Sequence, residues 1–348
     1  MENNDRIEIR HKRIELGEMI PLPAPFTLRI DPCGACNFKC VFCPCNQSDY
    51  KAGERHRKMS WEVFLCALDG MKEWASRDAL ERPGQELSLK VVDFHGFGEP
   101  LLNPLLPKMI RAVKDAGVCR EVRLVTNGFL LTKDLSAKLI DSGLDLCRVS
   151  VYALEQDDYK RICGVDVNPA RIVENISTYY DMSRNSGCRI SAKIVSNALR
   201  SQEDVKHFHQ IYDLITDYSF IEEIGEIWPD FEIGVGIDGQ HIHGVEKAFC
   251  PYITKATKDR KICVFPFTEM QIHADGMVSP CGSDWTKHLA YGSIMEKSLD
   301  SLWKGERLKE QWRKHLDGSA YSDFVCRNCF VLSLDDISPF VDKIISRF

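Results

Sequence analysis

The 348-residue chain lacks any apolar run of the roughly eighteen residues that a membrane-spanning helix requires. Its first residues, MENNDRIEIR, lack the apolar stretch of a secretory signal. An excess of basic charge is also missing, because 45 Lys and Arg residues stand against 51 Asp and Glu. We therefore expect neither nucleic acid nor a membrane as partner, and we expect a cytoplasmic protein.

Cysteine is abundant: the chain has 15 of these residues. Without an export signal, so many thiols do not predict a disulfide framework, and some of them are expected to be metal ligands. Five isolated cysteines in apolar or helical surroundings are interpreted as small buried hydrophobes: Cys66, Cys119, Cys147, Cys163 and Cys188. The other ten form an N-terminal cluster and a C-terminal set, with Cys250 just before the latter, which predicts two metal centres.

Strand and helix patterns alternate through the first two thirds of the chain. Strands are predicted at 26–30, 87–95, 121–126, 145–152, 189–196 and 220–228. Helices are predicted at 61–74, 104–116, 133–142, 170–185 and 203–217. This alternation predicts an α/β fold with a parallel sheet, either open or closed as a partial barrel, whose ligands gather at the C-terminal strand ends.

The pattern changes near Pro229. Residues 230–244 are glycine-rich and irregular, and after Cys250 the sequence predicts short strands, turns and one helix at 299–315. We therefore predict an N-terminal extension (1–25), a β/α domain (26–228), a linker or active-site loop (229–249) and a small cysteine-rich domain (250–348).

The first cysteine group follows the first predicted strand as Cys36-Asn-Phe-Lys-Cys40-Val-Phe-Cys43. Three thiolates on a tight loop can hold three irons of a [4Fe–4S] cube and leave the fourth iron open. Zinc would require a fourth ligand, which Cys33 or Cys45 could provide. The C-x3-C-x2-C spacing, with the aromatic Phe42 before the third cysteine, resembles the signature of the radical S-adenosylmethionine (SAM) superfamily.

The resemblance implies a partial (β/α)6 TIM-like barrel and a cluster whose open iron is chelated by SAM. It also implies reductive cleavage of SAM to a 5′-deoxyadenosyl radical that abstracts a substrate hydrogen atom. The electron would come from a donor such as flavodoxin or ferredoxin.

Other strand ends match further family elements. Gly96-Phe97-Gly98-Glu99-Pro100 is similar to the family's GGEP element, in which glycines allow close backbone approach to the methionyl group of SAM and a carboxylate faces its ammonium. An isolated string of this kind would more often be an ordinary turn.

Three later strands add candidate residues. Thr126-Asn127-Gly128 resembles an element near the methionyl and ribose groups of SAM, and Ser150 matches a serine near its carboxylate or ribose. Tyr152, two residues further on, is predicted to face the same side of the sheet and therefore the substrate. Lys193 is a weaker candidate for binding the SAM carboxylate, with a solvent-exposed strand end as the alternative.

The second cysteine group consists of Cys263, Cys281 after seventeen intervening residues, and the pair Cys326-Arg-Asn-Cys329. A hairpin is predicted at Asp275-Gly276, just before Cys281. The spacing alone is compatible with zinc or with a fully ligated cube. The surrounding sequence resembles the SPASM/twitch auxiliary domain of radical SAM enzymes in its one-cluster form, as in the 2-deoxy-scyllo-inosamine dehydrogenase class, which implies an auxiliary [4Fe–4S] cluster.

Two clusters suit the two-electron oxidation of an alcohol, so we expect an oxidoreductase acting on a small carbohydrate-like substrate such as a sugar, cyclitol or sugar nucleotide. Candidate residues for binding the substrate or for catalysis are Tyr152, Glu226, Trp228, His241 and His243. One alternative is a peptide-modifying enzyme. It is disfavoured because such relatives often carry an N-terminal leader-binding domain, and only about 25 residues precede the first strand. Another is an epimerase with Cys250 as hydrogen-atom donor, and a third is a zinc-stabilised binding protein.

Overall fold

A computed structural model describes residues 16–46, 56–222, 262–327, 329 and 337–347 of the chain. Within these ranges the strands are β1 (Thr27–Ile30), β2 (Val91–Phe94), β3 (Glu121–Thr126), β4 (Leu146–Val151), β5 (Arg189–Val195), β6 (Tyr218–Glu222), β7 (Glu269–Ile272), β8 (Met277–Ser279) and β9 (Gly292–Ser293). They form one sheet in the order β6-β5-β4-β3-β2-β1-β7-β8-β9.

The longer helices lie in the connections between the parallel strands. They are α2 (Trp61–Glu81), α3 (Leu106–Ala116), α4 (Lys133–Asp141), α5 (Gln156–Cys163), α6 (Pro169–Ser183) and α7 (Gln202–Tyr212), after a short α1 (Leu16–Met19). The C-terminal part contributes α8 (Phe265–Thr268), α9 (Leu299–Trp303), α10 (Glu306–Leu316), α11 (Phe324–Arg327) and α12 (Val341–Ile345). No helix in the described ranges is both long and apolar enough to cross a bilayer.

The first six strands are parallel neighbours, which confirms the predicted partial TIM-like barrel. β4 is almost entirely buried, as expected for a strand covered on both faces. On β1, buried Leu28 and Ile30 alternate with the less buried Thr27 and Arg29. Because side chains alternate between the two faces of a strand, one face of the sheet packs under the helices and the other lines the barrel interior.

Several predicted boundaries differ from the structure. α2 continues to Glu81, beyond the expected end at residue 74, and α7 ends at Tyr212 instead of residue 217. The predicted helix 299–315 is two helices, because the backbone is extended at Gly305. A side chain has little room at this position, since a Cβ would lie 2.9 Å from the Ser301 carbonyl oxygen. The short α5 was missed. β6 begins at Tyr218, and the remainder of its predicted range lies outside the described residues.

The cysteine-rich C-terminal part is joined to the barrel through the sheet itself. β7 pairs in parallel with β1, with Arg29 opposite Gln271, and β8 turns back antiparallel after Gly276. The positive φ of 85° at Gly276 confirms the predicted hairpin turn. The Trp303 indole also donates a hydrogen bond of 2.9 Å to the Leu22 carbonyl oxygen. Cys281 lies two residues after β8 and is therefore linked to β1 through the β7–β8 hairpin.

Candidate active site and cysteine centres

A cavity of about 490 Å³ opens at the C-terminal edge of the parallel strands. It receives Cys36, Cys40 and Cys43 from the loop after β1. The residues predicted to bind SAM or substrate that also line it are Phe42, Gly96, Gly98, Glu99, Thr126, Asn127, Ser150, Tyr152 and Lys193. The residues predicted at the strand ends thus line one cavity together with the three cysteines.

Backbone hydrogen bonds to α5 hold the cysteine loop. The amides of Lys39 and Val41 donate bonds of 2.7 and 2.9 Å to the carbonyl oxygens of Cys163 and Ile162. The Cys40 thiol also contacts Cys163, and this hydrogen bond, together with burial, raises the pKa of Cys40. Cys163, which the sequence predicts as an isolated buried hydrophobe, therefore contacts a predicted cluster ligand.

The other two thiols of the loop have distinct surroundings. Burial and the nearby Glu99 carboxylate raise the pKa of Cys36 to about 12, whereas a hydrogen bond with Cys45 lowers the pKa of Cys43. The Phe38 amide lies 3.4 Å from Cys36 Sγ, and the Asn127 side-chain amide lies 4.0 Å from it. Amide groups thus face Cys36, where they favour its thiolate form.

Glu99 connects two strand ends beneath this loop. Its side chain is buried and accepts hydrogen bonds from the Thr126 hydroxyl (2.6 Å), the Asn127 amide (2.9 Å) and the Leu101 amide (3.0 Å). Its own amide donates a 2.7 Å bond to the Ala35 carbonyl oxygen. Burial nevertheless raises the pKa of Glu99. The carboxylate therefore orders the predicted SAM-binding loops in addition to lining the cavity.

Gly98 has a structural role that the sequence analysis did not identify. Its φ is +93°, and a Cβ at this position would lie 2.0 Å from the Cys33 carbonyl oxygen and 2.6 Å from that of Ala35. The close approach that requires glycine in this structure is therefore to the cysteine loop. Gly98 also lines the cavity, and its predicted approach to SAM stays a prediction.

Phe97 differs from its neighbours in the same loop, because it is not among the residues that line the cavity. Its buried ring stacks on His273, with 6.0 Å between ring centroids and an interplanar angle of 8°, and it packs with Trp285 and Cys45. The predicted role of Phe97 in cofactor binding stays a prediction, and the contact that the structure shows is this packing. The residue packs the Gly96–Glu99 loop against the C-terminal hairpin.

Tyr152 and Ser150 face the cavity together, as the alternation of side chains predicts. The Tyr152 ring packs against Phe42, with 5.4 Å between centroids. Lys193 forms an ion pair with Glu222 of β6, and this partner was not anticipated. The candidates Glu226, Trp228, His241, His243 and Cys250, and the predicted loop 230–244, lie outside the described residues.

The barrel interior also carries charged residues that the sequence analysis missed. Arg29, Asp93 and Arg123 lie in register on β1, β2 and β3, and Arg148 projects from β4. Buried parallel strands are normally apolar, so a charged residue in the middle of such a strand is the signal that could have revealed them. Burial lowers the pKa of the adjacent His95 to about 3, so this imidazole is neutral at pH 7.

The C-terminal cysteines form a second group. Burial raises the pKa of Cys263 and Cys326 to about 12, and in each case the Cys329 thiol adds to the effect. Cys281 is affected in the same way by burial and then by Cys329 and Cys263. These mutual electrostatic effects show that the thiols predicted as ligands lie near one another.

A single metal ion and an iron–sulfur cluster require different spacings of the cysteine thiolates. Within the described part of the chain, no three His, Cys, Asp or Glu side chains are arranged to hold one ion. Thiolates around one zinc would lie about 3.8 Å apart, given Zn–S bonds of about 2.3 Å and tetrahedral geometry. In a [4Fe–4S] cube each thiolate binds a different iron, so the sulfur atoms are more widely spaced.

Comparison with known families supports iron–sulfur clusters at both cysteine groups. Residues 30–192 match the radical SAM superfamily, and residues 263–330 match SPASM, an iron-sulfur cluster-binding domain. The chain therefore contains a radical SAM domain followed by a SPASM domain. The first implies a [4Fe–4S] cluster and SAM, and the second implies auxiliary iron–sulfur binding, which confirms the cofactors expected from the sequence.

Among curated relatives, the chain is 32% identical over 155 residues to a protein from Saccharolobus solfataricus named "Probable GTP 3',8-cyclase". The match covers 44% of this chain and 44% of that relative's length. Because less than half of each protein is matched, the activity of the whole relative is not carried over to this chain.

Solved structures show the same fold at low sequence identity. BtrN in complex with AdoMet and 2-DOIA has a TM-score of 0.53 at 15% identity, covering 90% of this chain and 95% of BtrN. Streptococcus suis SuiB bound to S-adenosylmethionine has a TM-score of 0.60 at 16% identity, covering 86% and 70%. AnSMEcpe with bound AdoMet and the Kp18Cys peptide has a TM-score of 0.55 at 14% identity, covering 92% and 96%.

Proposed function

We propose that the chain is a radical SAM oxidoreductase that oxidises an alcohol carbon of a small polyhydroxylated molecule such as a sugar, cyclitol or sugar nucleotide. The observation that carries the proposal is the cavity beside the first cysteine loop, with Tyr152, Asp93 and Arg148 in its wall. Hydroxyl groups both donate and accept hydrogen bonds, which suits a wall that presents acidic, basic and phenolic groups together.

The two cysteine groups suit a two-electron reaction. When bound, the cluster and SAM supply a 5′-deoxyadenosyl radical that removes a hydrogen atom, and the auxiliary cluster supplies an acceptor for one electron. Cys36, Cys40 and Cys43 would hold the first cluster, and the second cysteine group would hold the auxiliary cluster. An electron donor of the flavodoxin or ferredoxin type and a cytoplasmic location complete the proposal.

A peptide substrate is the second candidate, because two structural neighbours have been solved with bound peptides. SuiB has been solved bound to its precursor peptide SuiA, and anSMEcpe with the Kp18Cys peptide. An epimerase that uses Cys250 as hydrogen-atom donor is a further candidate, although this residue lies outside the described ranges.

The product of the reaction tests the proposal against these alternatives. Reduced enzyme with SAM and a substrate deuterated at its carbinol carbons should yield labelled 5′-deoxyadenosine and a ketone three mass units lighter than the deuterated alcohol, because one deuterium and one hydroxyl hydrogen are lost. The Cys281→Ala variant should keep the label transfer but lose ketone formation. Solvent deuterium in a product of unchanged oxidation state would favour the epimerase, and turnover of a peptide alone would exclude the small substrate.

A further inference from the structure

The charged groups inside the barrel are almost all arranged in pairs. Arg29 lies 3.0 Å from Glu269, Arg123 lies 2.5 Å from Glu121, and Lys193 pairs with Glu222. His95 is neutral because burial lowers its pKa. Within each pair the two opposite charges neutralise one another. Most of the charge in the barrel interior is therefore balanced.

Asp93 and Arg148 are the exceptions within the described residues. Asp93 Oδ1 is enclosed and accepts no hydrogen bond from them, and no cationic nitrogen among them lies within 4.0 Å of its carboxylate. Arg148 Nε is likewise enclosed without an acceptor, as are Arg29 Nε and Arg123 Nε, but Arg148 has no carboxylate within 4.0 Å among the described residues, and its guanidinium lies 5.6 Å from the Phe220 ring centroid. Burying a polar group without a hydrogen-bond partner costs folding free energy. This cost indicates a ligand that forms hydrogen bonds with both groups.

Both side chains line the same cavity that receives the three cysteines of the first loop. They attract one another electrostatically without forming an ion pair. Burial raises the pKa of Asp93 despite the surrounding Arg29, Arg123 and Arg148, which brings its carboxylate closer to the range of a useful base. A hydroxyl group can bridge the two by donating to Asp93 and accepting from Arg148.

We propose that Asp93 and Arg148 bind the reacting hydroxyl of the substrate, with Asp93 as the base that removes its proton. This inference rests on the proposed alcohol oxidation. The O–H proton would pass to the Asp93 carboxylate, and the C–H hydrogen would leave as an atom to the 5′-deoxyadenosyl radical that SAM would supply when bound. The auxiliary iron–sulfur cluster would accept the remaining electron, so that the C–O single bond becomes a C=O bond. Arg148 donates to the oxygen as its negative charge develops.

Binding is the first test, and it does not depend on turnover. Reconstituted protein with SAM but no reductant is titrated by calorimetry with 2-deoxy-scyllo-inosamine, myo-inositol, D-glucose and UDP-glucose. At least one probe should bind, and Arg148→Gln and Asp93→Asn should each weaken its binding about tenfold. The matched control is Asp145→Asn, since Asp145 pairs with Lys114 away from the cavity and should leave probe binding unchanged. Iron content reports whether each variant folds.

The second test uses the bound probe with deuterium at its carbinol carbons, at saturating concentration with reductant. Asp93→Asn should still transfer deuterium to 5′-deoxyadenosine, while the ketone formed per 5′-deoxyadenosine falls at least tenfold. An unchanged ratio, or unchanged probe binding in both variants, would overturn the role of the pair and leave the proposed function standing. If no probe binds or donates deuterium to wild type, the proposed function and the hydroxyl site both fail.

Discussion

The Thr126 hydroxyl donates a 2.6 Å hydrogen bond to Glu99 Oε1, which joins the end of β3 to the loop that follows β2. The second carboxylate oxygen of Glu99 accepts from the Asn127 amide, and the Asn127 side chain in turn donates a 2.9 Å bond to Asn37 of the cysteine loop. Three segments far apart in sequence are therefore fixed by one buried carboxylate. Their arrangement around the cavity depends on it.

Replacing this carboxylate by the isosteric amide should destabilise the protein. In Glu99→Gln, an NH2 group must face either the Asn127 amide or the Thr126 and Leu101 donors, so at least one buried hydrogen bond is lost. We expect a loss of about 1–3 kcal/mol in the free energy of unfolding, measured by urea denaturation at pH 7. Glu310→Gln, on the exposed surface of α10, is the control and should change little. Equal stability of the two variants would contradict the structural role of Glu99.

Gly98→Ala should disrupt the first cluster site. Its Cβ would overlap the Cys33 and Ala35 carbonyl oxygens, and its φ of +93° is unfavourable for alanine. Reconstituted Gly98→Ala should therefore lose about four irons per chain, the content of one cube, and should not cleave SAM.

Gly84→Ala is the matched control for this variant. Gly84 has a φ of +76°, but a Cβ there would meet no atom within 4 Å. It should cost only about 1–2 kcal/mol of backbone strain and retain all its iron. Full iron content in Gly98→Ala would show that the cysteine loop tolerates the added methyl group.

The strands, the helices and the two cysteine groups could be predicted because each depends on local sequence. Alternating apolar residues define β3, and the loop spacing of Cys36, Cys40 and Cys43 is itself short-range. The position of Gly276 in a hairpin was predictable for the same reason.

The features that were missed depend on contacts between distant residues. Neither the stacking of Phe97 on His273 nor the pairing of β7 with β1 leaves a local pattern, since the partners are more than 170 residues apart. Asp93 and Arg148 each stand out in the sequence as a charge within a strand, but the sequence does not show which of the interior charges have a partner. Their importance is evident only after the other interior charges are seen to be paired.

The iron content tests the two-centre arrangement. Anaerobically reconstituted wild type should hold about eight irons and eight sulfides per chain, the content of two cubes. Cys36, Cys40 and Cys43 replaced together by Ala should leave about four irons and abolish SAM cleavage. The triple replacement of Cys263, Cys281 and Cys326 should also leave about four irons but preserve slow formation of 5′-deoxyadenosine. Zinc in the wild type, or unchanged iron in either variant, would refute the assignment.

His273 should make the protein sensitive to acid. Burial and then the Lys287 charge lower the pKa of His273 to about 3, and its Nε2 lies 2.9 Å from the Ser279 hydroxyl. The ordinary pKa of histidine is 6.5, so between pH 6.5 and pH 3 the unfolded state binds a proton that the folded state does not. The stabilising contribution of neutral His273 is therefore complete above pH 6.5 and declines as the pH falls.

The size of this effect follows from the same two pKa values. Between pH 7 and pH 5, wild type should lose about 2 kcal/mol more stability than His273→Gln, which keeps a polar group near Ser279 but cannot be protonated. Urea denaturation of the reconstituted protein at both pH values measures the difference, and His207→Gln, a substitution on the exposed face of α7, serves as control. Because the wild type and the variant bind the same clusters, acid effects on the clusters cancel in the comparison. Parallel stability curves for wild type and His273→Gln would mean that the His273 ring is charged or solvated in the folded protein.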